Sequence, residues 1–171
     1  MNKYIVLLRS LNVGKKNKIK MDDLKSALID DGFFQVQTYI QSGNIVLESE
    51  LDASEVKMLV EDILYEDFDI DTRCKVILQS DLKKCIDEEL YEEFFGERVF
   101  ISLCDPDFPF EVQTMNEKED IVILEVHDNV IITCTKIIDG RTPDVNFFLE
   151  DLSKAGAITR NTKVIKKLLE M

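Results

Sequence analysis

The chain has no tryptophan, a single histidine (His127) and only four cysteines in 171 residues. One histidine leaves few ways to build a Ser/His/Asp triad, and no serine sits in a Gly-x-Ser-x-Gly elbow. Cys74, Cys85, Cys104 and Cys134 contain no Cys-x-x-Cys pair, the close spacing that zinc sites use, so no metal is expected. Three of them lie among β-formers, where a thiol behaves as a small hydrophobe. Apolar runs such as Ile5 to Leu8 fall far short of the roughly 18 residues of a membrane span. The opening Met1-Asn2-Lys3-Tyr4 has no secretory h-region, so a reducing cytoplasm and no membrane partner are expected. No Gly-, Pro- or Ser-rich linker divides the chain.

What is abundant is negative charge. Lys plus Arg is 21 against 34 for Asp plus Glu, a net of −13. The distribution is uneven. Residues 1–20 hold six bases and no acid, residues 50–120 hold 22 acids against seven bases, and residues 154–171 return to five bases against one acid. Phosphate repulsion from the acidic whole disfavours tracking along nucleic acid, but leaves room for one local anion site at the basic end. The acids Glu88, Glu89, Glu92 and Glu93 read as a solvated helix face.

Hydrophobic spacing predicts strands at 4–9, 36–41, 44–48 and 72–79. A helix runs from Met21 through Leu24 and Leu28 to a C′ glycine, Gly32. Asp52 with Glu55 forms a capping box ahead of the Val56, Leu59, Val60, Ile63, Leu64 stripe. The order β-α-β-β-α-β is the split β-α-β pattern of ferredoxin-like folds. The remainder predicts a helix from Ser80 through Leu90, strands at 99–104, 121–126 and 130–137 with a turn at Asp128-Asn129, and helices at 145–154 and 161–170. Asp105-Pro106-Asp107-Phe108-Pro109 breaks the chain before an expected short helix, and Phe108 with Phe110 could form a partner patch. The expected fold class is α+β, a ferredoxin-like half over residues 1–79 packed against a second α+β half over 80–171.

A split β-α-β places the loop after the first strand and the hairpin between strands two and three at one end of the sheet. Here these are 9–20 and 41–44. Gly14 and Gly43 let main chain approach a ligand, while Asn12, Gln41, Ser42 and Asn44 supply directed hydrogen bonds. Lys15, Lys16 and Lys18 add point charges and Arg9 two donors for an anion. Asp67, Asp69 and Asp71 lie in a loop at the same end, where alternating acids suit a hard cation or simple solvation. Arg160-Asn161-Thr162 reads first as a cap for the last helix and second as a basic contribution from Arg160 to the anion site. Gly14-Lys15 is not a phosphate-binding P-loop, because Gly-x-x-x-x-Gly-Lys-Ser/Thr is missing. Asn12-x-Gly14 and Ser42-Gly43-Asn44 are also what plain turns require. Two readings of this end therefore stand side by side: a small anionic or nucleotide-like ligand, or turn chemistry alone. RNA binding, phosphoryl or acyl transfer and protein docking are the rivals, with cofactor and oligomeric state left open.

Arg9-Ser10-Leu11-Asn12-Val13-Gly14-Lys15-Lys16-Asn17-Lys18-Ile19-Lys20-Met21, followed by Tyr39-Ile40-Gln41-Ser42-Gly43-Asn44, resembles the bacterial family known as domain of unknown function 1697. The family's later Thr-Arg-Asn-Trp-Asn-Thr pattern is present only as Thr159-Arg160-Asn161-Thr162, without its tryptophan. The resemblance implies an α+β fold in a small cytoplasmic bacterial protein and brings no activity with it.

Overall fold

The computed structural model describes residues 1–86, 98–105, 120–153 and 156–171. Two compact units emerge, residues 1–83 with 167–171, and residues 84–166. Mixed helix and strand with two four-stranded antiparallel sheets makes the fold α+β.

The first unit contains β1 (Asn2–Leu8), α1 (Met21–Asp30), β2 (Phe34–Tyr39), β3 (Asn44–Ser49), α2 (Ala53–Phe68), β4 (Cys74–Leu78) and most of α3 (Gln79–Lys84). Strands run in the order β2-β3-β1-β4, each antiparallel to its neighbours. β3 therefore lies between β1 and β2, so those two run parallel and their C-terminal ends point the same way. The capping box at α2 is formed as read. Asp52 Oδ1 accepts from Ser54 and Glu55 N–H, and the Glu55 carboxylate accepts from Asp52 N–H.

Alternation along β1 puts Tyr4, Val6 and Leu8 in one core with Leu24 and Leu28 of α1 and Val56, Val60 and Leu64 of α2. Ile5 and Leu7, on the opposite face, are also fully buried. That is why β1 reads as a continuous apolar run instead of an alternating one. The last residues of the chain complete this unit. Lys3 Nζ and Gln37 Nε2 donate to the Met171 carbonyl at 2.7 and 3.2 Å, and Gln79 Nε2 donates to the Leu168 carbonyl at 2.8 Å.

The second unit contains β5 (Val99–Cys104), β6 (Ile121–His127), β7 (Val130–Thr135), α4 (Val145–Ser153), β8 (Ala157–Asn161) and the start of α5 (Thr162–Glu170). Its strand order, β6-β7-β5-β8, repeats that of the first unit position for position. The repeat extends to register. Leu8 N–H donates to the Gly43 carbonyl and Cys104 N–H to the Asn129 carbonyl, both at 2.8 Å. Leu8 faces Cys74 across β1/β4, and Cys104 faces Ala157 across β5/β8.

β8 corrects the sequence reading, which had no strand between its last two helices. The segment is short and polar at Thr159, Arg160 and Asn161, yet it pairs along β5 from Phe100↔Asn161 to Cys104↔Ala157. Pairing with a buried neighbour outweighs weak intrinsic preference. Asn161 still caps α5, its Oδ1 accepting from Val164 N–H at 2.9 Å. β1 ends at Leu8, leaving Arg9 in the loop, and β7 ends at Thr135, after which Ile138 and Arg141 form an isolated bridge. Residues 87–90 of the expected third helix, the acids from Glu88 to Glu93, the short helix expected after Pro109 and the Phe108/Phe110 patch lie outside the described residues.

Candidate functional site: the basic loop and hairpin of the first unit

The loop leaving β1 and the hairpin between β2 and β3 meet at one end of the sheet, and Asn12 ties them. Its Nδ2 donates to the Gln41 carbonyl at 2.8 Å and to the Ile19 carbonyl at 3.0 Å, while its Oδ1 accepts from Ile19 N–H at 2.9 Å. Asn12 N–H donates to the Asn17 carbonyl, and Lys18 Nζ donates to the Asn12 carbonyl at 3.1 Å. The 12–19 segment is thus a closed loop stapled to the hairpin. Ser10, Asn12, Gly14 and Asn17 all take left-handed φ values between 51° and 60°. Three of these four are Asn or Gly, residues that accept this conformation at low cost.

The hairpin is held from within. Asn44, fully buried, donates from Nδ2 to the Tyr39 carbonyl and to Ser42 Oγ, both at 3.0 Å. Gly43 sits at φ +73°, and a Cβ there would lie 2.6 Å from Leu8 Cβ. The glycine is required by strand packing. Asn12, Gly43 and Asn44, read from sequence either as ligand contacts or as turn chemistry, make the internal contacts that join the loop, the hairpin and β1 into one platform. The start of β4 joins the same end. Arg9 N–H donates to the Arg73 carbonyl at 3.0 Å, and Thr72 Oγ1 donates to the Arg9 carbonyl.

What remains facing solvent is basic and aliphatic. Gly14, Lys15, Lys16, Lys18 and Gln41 are exposed, and Arg9 and Ser42 are half-buried. Val13 is 63% exposed and Ile40 50% exposed, on residues adjacent to the bonded pair Asn12 and Gln41. Ile40 holds φ +50°, a costly conformation for a β-branched side chain. Sequence reading did not single out Val13, Ile40 or the exposed Arg73. Arg73 had only its place on the polar face of the expected 72–79 strand as a signal, and the two aliphatics had none. α1 begins here with Lys20 at its N-cap and no side-chain cap. Asp22 and Asp23 already occupy its first turn, so the charge available to an anion comes from the lysines. Asp67, Asp69 and Asp71 are exposed, and no group of three metal-ligating side chains occurs among the described residues.

Arg160 belongs to the second unit, on β8 opposite Ile101. Removal from solvent lowers its guanidinium to about 10, and one nitrogen donates to the Thr159 carbonyl at 3.0 Å. His127 ends β6 with its Nε2 against Glu125 Oε2. Cys74 and Cys104 are buried, as their β-rich surroundings suggested, whereas Cys134, the third thiol among β-formers, is half-buried. Burial first, then Glu61, pushes the Cys74 thiol well above its usual range, so it is no nucleophile.

The family described as "Protein of unknown function (DUF1697)" matches residues 1–125, a stretch that contains every element of this platform. The chain belongs to this family. No curated protein matches it. Among solved structures, the conserved bacterial protein SP0830 from Streptococcus pneumoniae is similar over 100% of this chain and 98% of its own, at 18% identity and a TM-score of 0.73. At that identity the likeness speaks for the fold alone. No described helix of this family member is long and apolar enough to cross a membrane.

Proposed function

We propose that the 9–20 loop and the 40–44 hairpin bind a small anionic, nucleotide-like ligand. The observation that carries this reading is the Asn12 staple. It fixes an acid-free loop against the hairpin and leaves Lys15 and Lys16 at its surface, so the backbone that carries the charge is already ordered and only the lysine side chains remain to be fixed. Lys15 and Lys16 attract the anionic group, Arg9 and Lys18 reinforce the field, and the exposed Gly14 backbone, Gln41 and Ser42 supply orientation. Val13 and Ile40 give an apolar surface beside the lysines, which suits a ligand with a planar or aliphatic part next to its charge. The net charge of −13 favours a small anion over a polynucleotide. A reducing cytoplasm suits the four free thiols.

The test is thermal melting against nucleotides, sugar phosphates, polyphosphate and short RNA. A ligand at 100 times its Kd adds about 2.7 kcal/mol, a shift of a few degrees. The shift should disappear in Lys15→Ala/Lys16→Ala. A steep loss with salt for RNA alone would move the reading to polynucleotide binding. No shift from any compound would return the loop to turn chemistry.

A further inference from the structure

A concave surface lies at the far end of the same sheet, where β1 and β2 begin and β3 ends. It is a cavity of about 270 Å³, just under the roughly 300–1,000 Å³ of small-molecule pockets. With strands of six or seven residues, it stands about 20 Å from the basic loop. Met1, Phe34, Leu51 and Leu59 give it apolar side chains, and its charged lining residues are Asp31, Glu50 and the Met1 ammonium, a net of −1.

Three features give this cavity a charge preference. Asp31 and Glu50 are exposed, and neither makes an ion pair among the described residues. α1 ends at the cavity with Asp30 and Asp31 at its C-terminus and no base in its last turn. The two carboxylates add to the partial negative charge of the helix end. Phe34 also stands 53% exposed on the rim, just before a bulge in the β2/β3 pairing where Gln35 takes φ +47°. Bulges re-aim side chains, and an aromatic face beside carboxylates attracts a cation by its quadrupole as well as by area.

We propose that this cavity binds a small organic cation, an ammonium group carried on an apolar body. The ammonium would sit between Asp31, Glu50 and the Phe34 ring, and the apolar body against Leu51 and Leu59. This site is independent of the anion site, at the opposite end and of opposite sign.

The test titrates ¹⁵N-labelled protein with three probes of one shape: phenethylammonium, neutral 2-phenylethanol and 3-phenylpropionate. Phenethylammonium should shift the amides of Gly32, Phe34 and Glu50 and bind about tenfold tighter than the alcohol, with the carboxylate weakest. Asp31→Asn/Glu50→Gln, at two exposed side chains without a hydrogen bond or ion pair among the described residues, should bring the ammonium down to the level of the alcohol. Lys15→Ala/Lys16→Ala should leave all three titrations unchanged. Equal affinity of ammonium and alcohol, or no shift at those amides, overturns the proposal.

Discussion

Replacing Gly43 by alanine would place a methyl group 2.6 Å from Leu8 Cβ at a backbone φ of +73°. Strain in the left-handed region, about 1–2 kcal/mol, adds to an overpacking cost of about 1–3 kcal/mol. The expected loss is therefore roughly 2–5 kcal/mol in urea unfolding. Gly14→Ala is the matched control. It meets nothing within 4 Å and should lose only the backbone share, about 1–2 kcal/mol. Equal losses at the two positions would show that packing against Leu8 is not what requires glycine. At this scale the sequence was half legible. Glycine, asparagine and lysine were recognisable as turn and anion chemistry, but their division of labour was not. Which residue faces inward depends on how Gly43 abuts Leu8 and how Asn12 reaches Gln41, contacts between residues 35 and 29 positions apart.

Among elements, strands and helices with strong periodicity were readable, and the convergence of loop 9–20 with hairpin 41–44 followed from β-α-β order alone. β8 was not. Ala157-Ile158-Thr159-Arg160-Asn161 has too little apolar alternation to declare a strand, and Asn161 sends a helix-start signal that is also true. One residue ends β8 opposite Phe100 and caps α5 through its side chain. Asn161→Ala keeps the strand pairing, which uses backbone, and removes the cap. It should cost about 1 kcal/mol, read by urea unfolding together with faster amide exchange at Val164. Unchanged exchange at Val164 would mean that the cap contributes nothing to α5.

For the molecule as a whole, −13 is a self-repulsion that salt relieves. Raising sodium chloride from about 20 to about 300 mM, which shortens the screening length below 10 Å, should raise Tm. Lys15→Ala/Lys16→Ala takes the charge from −13 to −15 and should lower Tm at low salt, with the gap closing at high salt. A gap that persists at high salt would mean that the lysines stabilise by packing and not by charge. The first unit is polarised within itself. Loop 9–20 carries bases and no acid, whereas the cavity at the opposite end of the sheet is lined by Asp31 and Glu50.

The return of residues 167–171 to the first unit bears on how the protein is made. Lys3, Gln37 and Gln79 wait for partners near Met171 that leave the ribosome only after the 83 residues of the second unit. At about 5–20 residues per second that is a delay of roughly 4–17 s. Through that interval the nascent first unit lacks its final five residues and the three hydrogen bonds that they accept.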